Sequence, residues 1–418
     1  MSIKDKVTLI YSNSSYFNFF IGSLTSSIGN GMYFIALTWL LLSITNEPSS
    51  VGLLMIVMAL PNIFINPFIG VFIDWLDRKI VCIVADIFCA CAILVIPIIY
   101  YTDFSLNSTI IYIVAFLSSL GEKVYIPSRD GLIRELTSDK ELVSINSFAI
   151  GIVQTGMLLG AGLSGFLIST IGSINVILIN SLSYLIGALF TFFVRKNTIK
   201  PIKRNYTNNI QSVLHDFKQG VFFLVNNKNV LKISLIIAIL YTTLYATNAL
   251  LPSFAKFDLN VGEKGYGIID ATWALGSIFG AFFLFSLSIK HFKTLILKYG
   301  LLILSCSIGV FSLSQNLFQA SIGYMLMGVC FAMTRIVFDT NLQLNVHTDF
   351  QGRVKSVVLM LISLTGLVVH SLITIFIDII SPRSLYYFLS FIMLLGCICS
   401  LYAFSEKRSL LKNSRHSL

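Results

Sequence analysis

The sequence predicts an all-α polytopic membrane protein with twelve transmembrane helices in two pseudo-symmetric six-helix bundles, and three observations carry that prediction. Of the 418 residues, 56% are hydrophobic and 11% charged, with a mean hydropathy of +0.84; an ordinary soluble domain carries about 25% charged residues. Long apolar runs occupy residues 17–44, 50–73, 80–101, 107–127, 144–169, 174–194, 232–254, 265–289, 295–313, 318–340, 354–378 and 384–404, each enough to cross ~30 Å of hydrocarbon as a helix. A shift of 215 positions aligns Gly52 with Gly267, Ala59 with Ala274, Leu60 with Leu275, Ile63 with Ile278, Phe64 with Phe279 and Phe68 with Phe283. Two halves related by an axis along the membrane normal, with a substrate site between them near the midplane, are therefore expected.

Taken in order, the first run is too long for the core of a signal peptide and has no A-x-A cleavage site, so it is predicted to stay as a membrane span. Between runs two and three lies a charged hinge, Gly70-Val-Phe-Ile-Asp74-Trp-Leu-Asp77-Arg78-Lys79, which must sit at a membrane surface. Run five carries Gly156-x-x-x-Gly160-Ala161-x-x-Ser164-Gly165, a spacing of small residues that lets a neighbouring helix approach closely. The connection after run six is the long one. Within it, Ile210, Val213, Leu214, Phe217, Val221 and Phe222 fall at helical spacing, which predicts an amphipathic helix on the inner membrane face with Lys218 near anionic lipid. The expected domains are an amino-terminal bundle (1–194), a cytoplasmic linker (195–231), a carboxy-terminal bundle (232–404) and a basic tail (405–418).

With the amino terminus inside, 26 of the 29 lysines and arginines fall in inner segments, leaving Lys256, Lys264 and Arg383 outside. This asymmetry predicts a cell-membrane protein with both termini cytoplasmic. It also explains the net charge of +10 through topology and the lipid bilayer, with no nucleic-acid partner. The seven cysteines all fall in apolar runs without metal-finger spacing and read as small core residues.

The hinge, taken with Ser27-Ile-Gly29-Asn30-Gly31, Ala36-Leu-Thr-Trp39-Leu, Leu60-Pro61, Pro67, Asp86, Pro127-Ser-Arg129 and Gly352-Arg353-Val354, resembles the major facilitator superfamily. Within it, the chain looks like the branch of macrolide efflux proteins, the enterobactin exporter and staphyloferrin-type siderophore exporters. The resemblance implies a conformational latch made by Gly70, Asp74, Arg78, Lys79, Asp130 and Arg353. In it Asp74 accepts hydrogen bonds from the amino end of span eleven near Arg353, and Gly70 allows close approach. Arg78 pairs with an acid at the end of span four; Glu122, Asp130 and Glu135 are candidates, and the family pattern favours Asp130. The span-five glycines are similar to a motif of exporting members, with Ala161 for its proline and Ser164 for a glycine. Asn30 stands where that branch commonly has an acid.

Ionisable side chains inside spans are costly and default to functional candidates. They are Asp86, Glu122, Asp270, Arg335, Asp339 and His370. Asp270 aligns with Met55 in the other half, so it lies outside the repeated scaffold and suits a proton carrier or a substrate contact. Arg335 and Asp339, four residues apart, can pair along one helix face, and Arg335 could meet an anionic substrate. His370 reads as a packed histidine. No GxxxxGK[ST] loop, H-E-x-x-H or serine elbow occurs, so the expectation is a monomeric transporter rather than an enzyme, without metal or cofactor and driven by protons. The favoured substrate is a carboxylate siderophore. Multidrug or macrolide efflux, which 34 Phe and 17 Tyr could serve, is the alternative, and uptake symport a third reading.

Overall fold

The computed structural model describes residues 14–74, 76–137, 141–195, 210–286, 289–346 and 350–413, and every regular element among them is helical. In chain order these are α1 (Ser14–Thr45), α2 (Pro48–Asp74), α3 (Arg78–Tyr101), α4 (Ser108–Leu136), α5 (Leu142–Ile171), α6 (Ser173–Phe192), α7 (Ile210–Asn226), α8 (Lys228–Ser253), a π-helical turn continuing it (Phe254–Asp258), α9 (Gly262–Ser286), α10 (Ile289–Ser312), α11 (Leu317–Asn345), α12 (Gln351–Phe376) and α13 (Pro382–Asn413). Eleven helices among the described residues are long and apolar enough to cross a membrane. The 27-residue α2 has an apolar first half, Pro48–Pro61. Large apolar side chains face outward, Phe282 at 68% and Ile375 at 62% exposure, a surface that suits hydrocarbon rather than water. The chain is a polytopic membrane protein of the expected all-α class.

Local signals set the helix ends. Asp77 caps α3 by accepting from Lys79 N (2.9 Å) and Ile80 N (3.2 Å), and Asn107 and Asn316 cap α4 and α11 in the same way. Asn46 and Asp103 follow α1 and α3 in left-handed conformation, as Asn260 follows the π turn, and Gly172 turns between α5 and α6 at φ +84°. Residues 405–413, read from sequence as part of a separate tail, instead continue α13.

The contacts divide the chain into two units, one of residues up to Asn46 with Val57–Ile210, the other of Glu47–Ile56 with Gln211 onward. The sequence reading put residues 47–56 in the amino-terminal bundle (1–194) and the amphipathic helix in the cytoplasmic linker (195–231). Residues 47–56 and 211–226 group with the second unit because they pack there: Ser49 N donates to Asp378 Oδ1 (3.1 Å), Gly52 lies against Thr374, and α7 lies on α12.

Within the first unit α1 packs on α5 and α6, and α3 on α4 and α6; within the second, α8 packs on α12 and α13, and α10 on α11 and α13. A shift of six spans carries one pattern onto the other. Hydrogen bonds repeat as well: Ser181 Oγ on α6 donates to Ala90 O on α3 (2.9 Å), and Ser390 Oγ on α13 donates to Ser305 O on α10 (2.9 Å). Ala90 and Ser305 are 215 positions apart.

The α1–α5 seam is nearly backbone on backbone. A Cβ on Gly156 would stand 2.6 Å from Ser27 Cβ, and one on Gly160 would overlap the Ile28 carbonyl and stand 3.0 Å from Gly31 Cα. Ser164 and Gly165 are buried in the same helix, with Ser164 Oγ donating to Ala161 O (2.7 Å). Cys82, Cys89 and Cys397 are buried, whereas Cys91, Cys306 and Cys399 face outward, so the core reading of the cysteines fails for those three.

Gly160→Val should lower the thermal stability of the detergent-solubilised protein and its monodisperse yield, because overpacking of this kind costs about 1–3 kcal/mol. Gly151→Val, at a glycine with nothing within 4 Å of its Cβ position, should leave both unchanged. A melting scan with size-exclusion chromatography compares the two.

Candidate functional site

The hinge after α2 positions the first group. Gly70 and Asp74 lie in the last turns of α2, whose side chains fall outside the described residues, as does any contact of Asp74 near Arg353. Arg78, at the start of α3, reaches α4: its Nη1 donates to Gly131 O (3.2 Å) and pairs with Glu135 Oε1 at 3.6 Å, both side chains about a quarter exposed. Gly131 makes the slot, since a Cβ there would stand 2.6 Å from Arg78 Cδ and 2.7 Å from Nε. Asp130 does not meet Arg78; it pairs with its neighbour Arg129 at 2.7 Å. The expected Arg78–Asp130 pair is thus replaced by Arg78–Glu135. Helix geometry explains the change, because Gly131 and Glu135 are four apart on one face of α4 while Asp130 points about 100° away.

Lys79 has a separate task. Its Nζ donates to Phe192 O (2.7 Å) at the end of α6 and lies 5.4 Å from the Phe192 ring, so a cation meets the negative end of a helix dipole. Arg353, in the first turn of α12, donates to Gln219 Oε1 of α7 at 2.6 Å. Sequence reasoning missed Gly131, Phe192 and Gln219. Each enters through its backbone or as a neutral acceptor, features that charge patterning does not register.

Deeper in the first unit, polar groups of α1, α3, α4 and α6 gather. Asn30 Nδ2 donates to Glu122 Oε1 (3.4 Å), and Tyr33 Oη shares a hydrogen bond with Ser118 Oγ (3.3 Å). Asp86 is 1% exposed, and neither carboxylate oxygen has a hydrogen-bond partner among the described residues. The smallness of Gly187 on α6 leaves room there: a Cβ at that position would stand 3.4 Å from Asp86 Oδ2 and would overlap Ser26 Oγ. Ser23 Oγ is likewise buried, with no geometric hydrogen bond to a described residue.

The second unit is built differently. An aromatic column runs through it, with ring centroids 5.4 Å apart between Phe254 and Tyr386, 4.9 Å between Tyr386 and Phe311, 5.1 Å between Phe311 and Tyr324, 5.1 Å between Tyr324 and Trp273, 5.4 Å between Trp273 and Phe331, and 5.9 Å between Phe331 and Tyr241. An arginine closes each end. Arg383 lies 5.4 Å from the Phe254 ring and 3.5 Å from Asp258, and Arg335 lies 5.6 Å from the Tyr241 ring and 3.6 Å from Asp339. Asp270 on α9 precedes Trp273 of this column by three residues, which puts the two on the same side of that helix, and it has no hydrogen bond or ion pair to a described residue. His370 is packed rather than free, its Nε2 on Tyr245 O at 3.2 Å and its ring edge-on to Tyr245.

The two acids therefore stand apart from the other ionisable groups. Arg335 and Asp339 satisfy one another, and Glu122 has Asn30, whereas Asp86 and Asp270 have no described partner. Such groups can exchange a proton or meet a charged substrate without first breaking an ion pair.

Residues 19–370 and 233–417 match the family model described as Major Facilitator Superfamily. An uncharacterized MFS-type transporter of Bacillus subtilis, YkuC, is 24% identical over 52% of this chain, and the match spans about half (51%) of that relative's length. The multidrug efflux pump Tap of Mycobacterium tuberculosis is 21% identical over 80% of both chains. Among solved structures, that of the nucleoside transporter NupG superposes with a TM-score of 0.73 at 15% identity, covering 94% of this chain and 99% of that one.

Glu135→Gln should slow transport several-fold by releasing Arg78 from α4, while Asp130→Asn should leave it near the parental rate. Initial rates in reconstituted vesicles, at equal protein incorporation, distinguish the two carboxylates.

Proposed function

The chain belongs to the Major Facilitator Superfamily, and from that premise we propose that it is a proton-driven exporter of amphipathic small organic molecules, multidrug in type. The observation that carries this reading is Asp270, an intramembrane acid with no described cation, set beside a column of aromatic rings. Aromatic faces bind apolar and cationic bodies without demanding one shape, and an acid free of an internal partner can answer a substrate's positive charge or carry a proton in its place. Asp86 in the first unit offers a second proton-carrying carboxyl. The direction of transport rests on the exporter-like opening of the chain, its span-five glycines and the likeness to Tap. The excess of bases in inner segments supports a cell-membrane location with both termini cytoplasmic.

A carboxylate siderophore is the second reading, favoured by the guanidinium of Arg335, whose side chain is 47% exposed. That reading asks the substrate to compete with Asp339 for the arginine, which places it behind the first.

In inverted membrane vesicles, uptake of a cationic dye such as Hoechst 33342 should need the proton gradient and collapse with a protonophore. Asp270→Asn should lose most gradient-driven transport while reaching the membrane in normal amount. Full activity of Asp270→Asn would remove this acid from the coupling. Loss of a secreted chelator from the medium of an iron-starved deletion strain, with unchanged drug susceptibility, would put the siderophore first.

A further inference from the structure

Helix α7 has two faces, and only one of them is used inside the protein. On the inner face, Gln219 Oε1 accepts from Arg353 Nη1 at 2.6 Å, and Gly220 lies so close to α12 that a Cβ would stand 2.7 Å from Arg353 O and 3.0 Å from Val357 Cγ2. Phe223 stacks on Phe350 with centroids 5.0 Å apart and planes within 18°, and Leu224 is buried. These contacts fasten α7 to the first turns of α12.

Exposed His215 borders the inner face through a hydrogen bond with Gln219 (2.7 Å), while on the opposite face Lys218, Phe222 and Val225 follow one another at three- and four-residue spacing and all are exposed, Phe222 at 70% and Val225 at 60%. The spacing puts them on one stripe, and Lys228, also exposed, follows a turn later. A single non-helical residue, Asn227 (φ −105°, ψ 86°), separates α7 from α8, which crosses the membrane. Phe222 and Val225 therefore stand within two turns of a membrane entry point. Between Arg195 and Lys232 the sequence carries eight bases and one acid, Asp216.

We infer that the outer face of α7 is a docking surface for anionic phospholipid of the inner leaflet, and that lipid bound there holds the Arg353 end of α12 in place. Phe222 and Val225 enter the boundary between headgroups and acyl chains. Lys218 and Lys228 flank them, their stems along the apolar surface and their ammonium groups on lipid phosphates. A water-facing helix gains nothing from this combination, and a soluble acidic partner would leave the two apolar side chains at the mouth of the bilayer unaccounted for. Because the inner face is fastened to α12, headgroup charge is transmitted to the first turns of a span. The inference rests on the chain being a membrane transporter but on neither its substrate nor its coupling ion.

The test uses the full chain in nanodiscs of phosphatidylcholine, with or without phosphatidylglycerol, and a Phe222→Trp variant read as difference emission against the parent. Val225→Trp serves as a second probe if the first misfolds. Emission should be blue-shifted and quenched by brominated lipid, more strongly when the brominated lipid is phosphatidylglycerol. Each lysine near an anionic surface contributes about fivefold in association, so Lys218→Gln should weaken the preference by about that factor and the double variant with Lys228→Gln by more. Gly220→Val, which opens the seam but spares the lipid face, should keep the quenching and lose the dependence of transport rate on phosphatidylglycerol. Quenching by aqueous iodide but not by brominated lipid would overturn the inference, as would a signal that depends on protein concentration, which would assign the stripe to a second copy.

Discussion

In hydrocarbon no water stands ready to satisfy a polar group, so each N–H, C=O and hydroxyl must find its partner inside the protein. That constraint makes every described element a helix and decides where polar side chains go. Thr25, Ser27, Thr38, Ser234 and Thr374 return their hydroxyls to a carbonyl four residues back on their own helices. Tyr16 Oη, Ser119 Oγ and Ser181 Oγ cross to carbonyls of α4, α2 and α3. With hydroxyls absorbed this way, close packing of small residues, as in the α1–α5 seam, is left to hold the helices together. A few buried hydroxyls, Ser23 and Tyr386 among them, have no geometric hydrogen bond to a described residue, but a buried carboxylate with neither oxygen bonded, as at Asp86, costs far more and stands out.

The same constraint explains what the sequence made legible. Span number and placement follow from hydrophobic length, because a helix that must cross a bilayer announces itself residue by residue. The 215-residue repeat, visible in matched small and aromatic positions of α2 and α9, returns as a repeated packing order and a repeated pair of hydroxyl-to-carbonyl bonds. The functional groups were legible as residue types and not as partners. Asp130 and Glu135 are both acids near the end of span four, and only the position of Gly131 on one face of α4 selects Glu135 for Arg78. Residues 210–226 showed their amphipathic period, but the docking of one face on α12 depends on Gln219 and Gly220, which carry neither charge nor bulk. Three cysteines misled because an apolar run in a membrane protein has an outward side as greasy as its inward one.

The repeat also serves as an internal control on the two lone acids. In the register that sets Ala90 on Ser305, the buried face of α3 meets the buried face of α10: Cys82 corresponds to Leu297, Cys89 to Leu304, Ile93 to Ile308 and Ile96 to Phe311, all of them buried. Asp86 then corresponds to Leu301, itself 1% exposed. The same architecture is therefore built with an aliphatic side chain at that place, and the acid brings the scaffold nothing but the cost of burying an unpaired polar group. Asp270 corresponds to buried Met55 in the opposite sense. Among the described residues, each half thus carries one intramembrane acid without a described partner at a position where the other half has an apolar residue. Glu122 and Asp339 also face apolar counterparts, Val337 and Val124, but are bonded to Asn30 and Arg335. Packing therefore explains neither acid, and the proton-carrying role proposed for them is one that a lone carboxyl inside a span can fill without first breaking an ion pair.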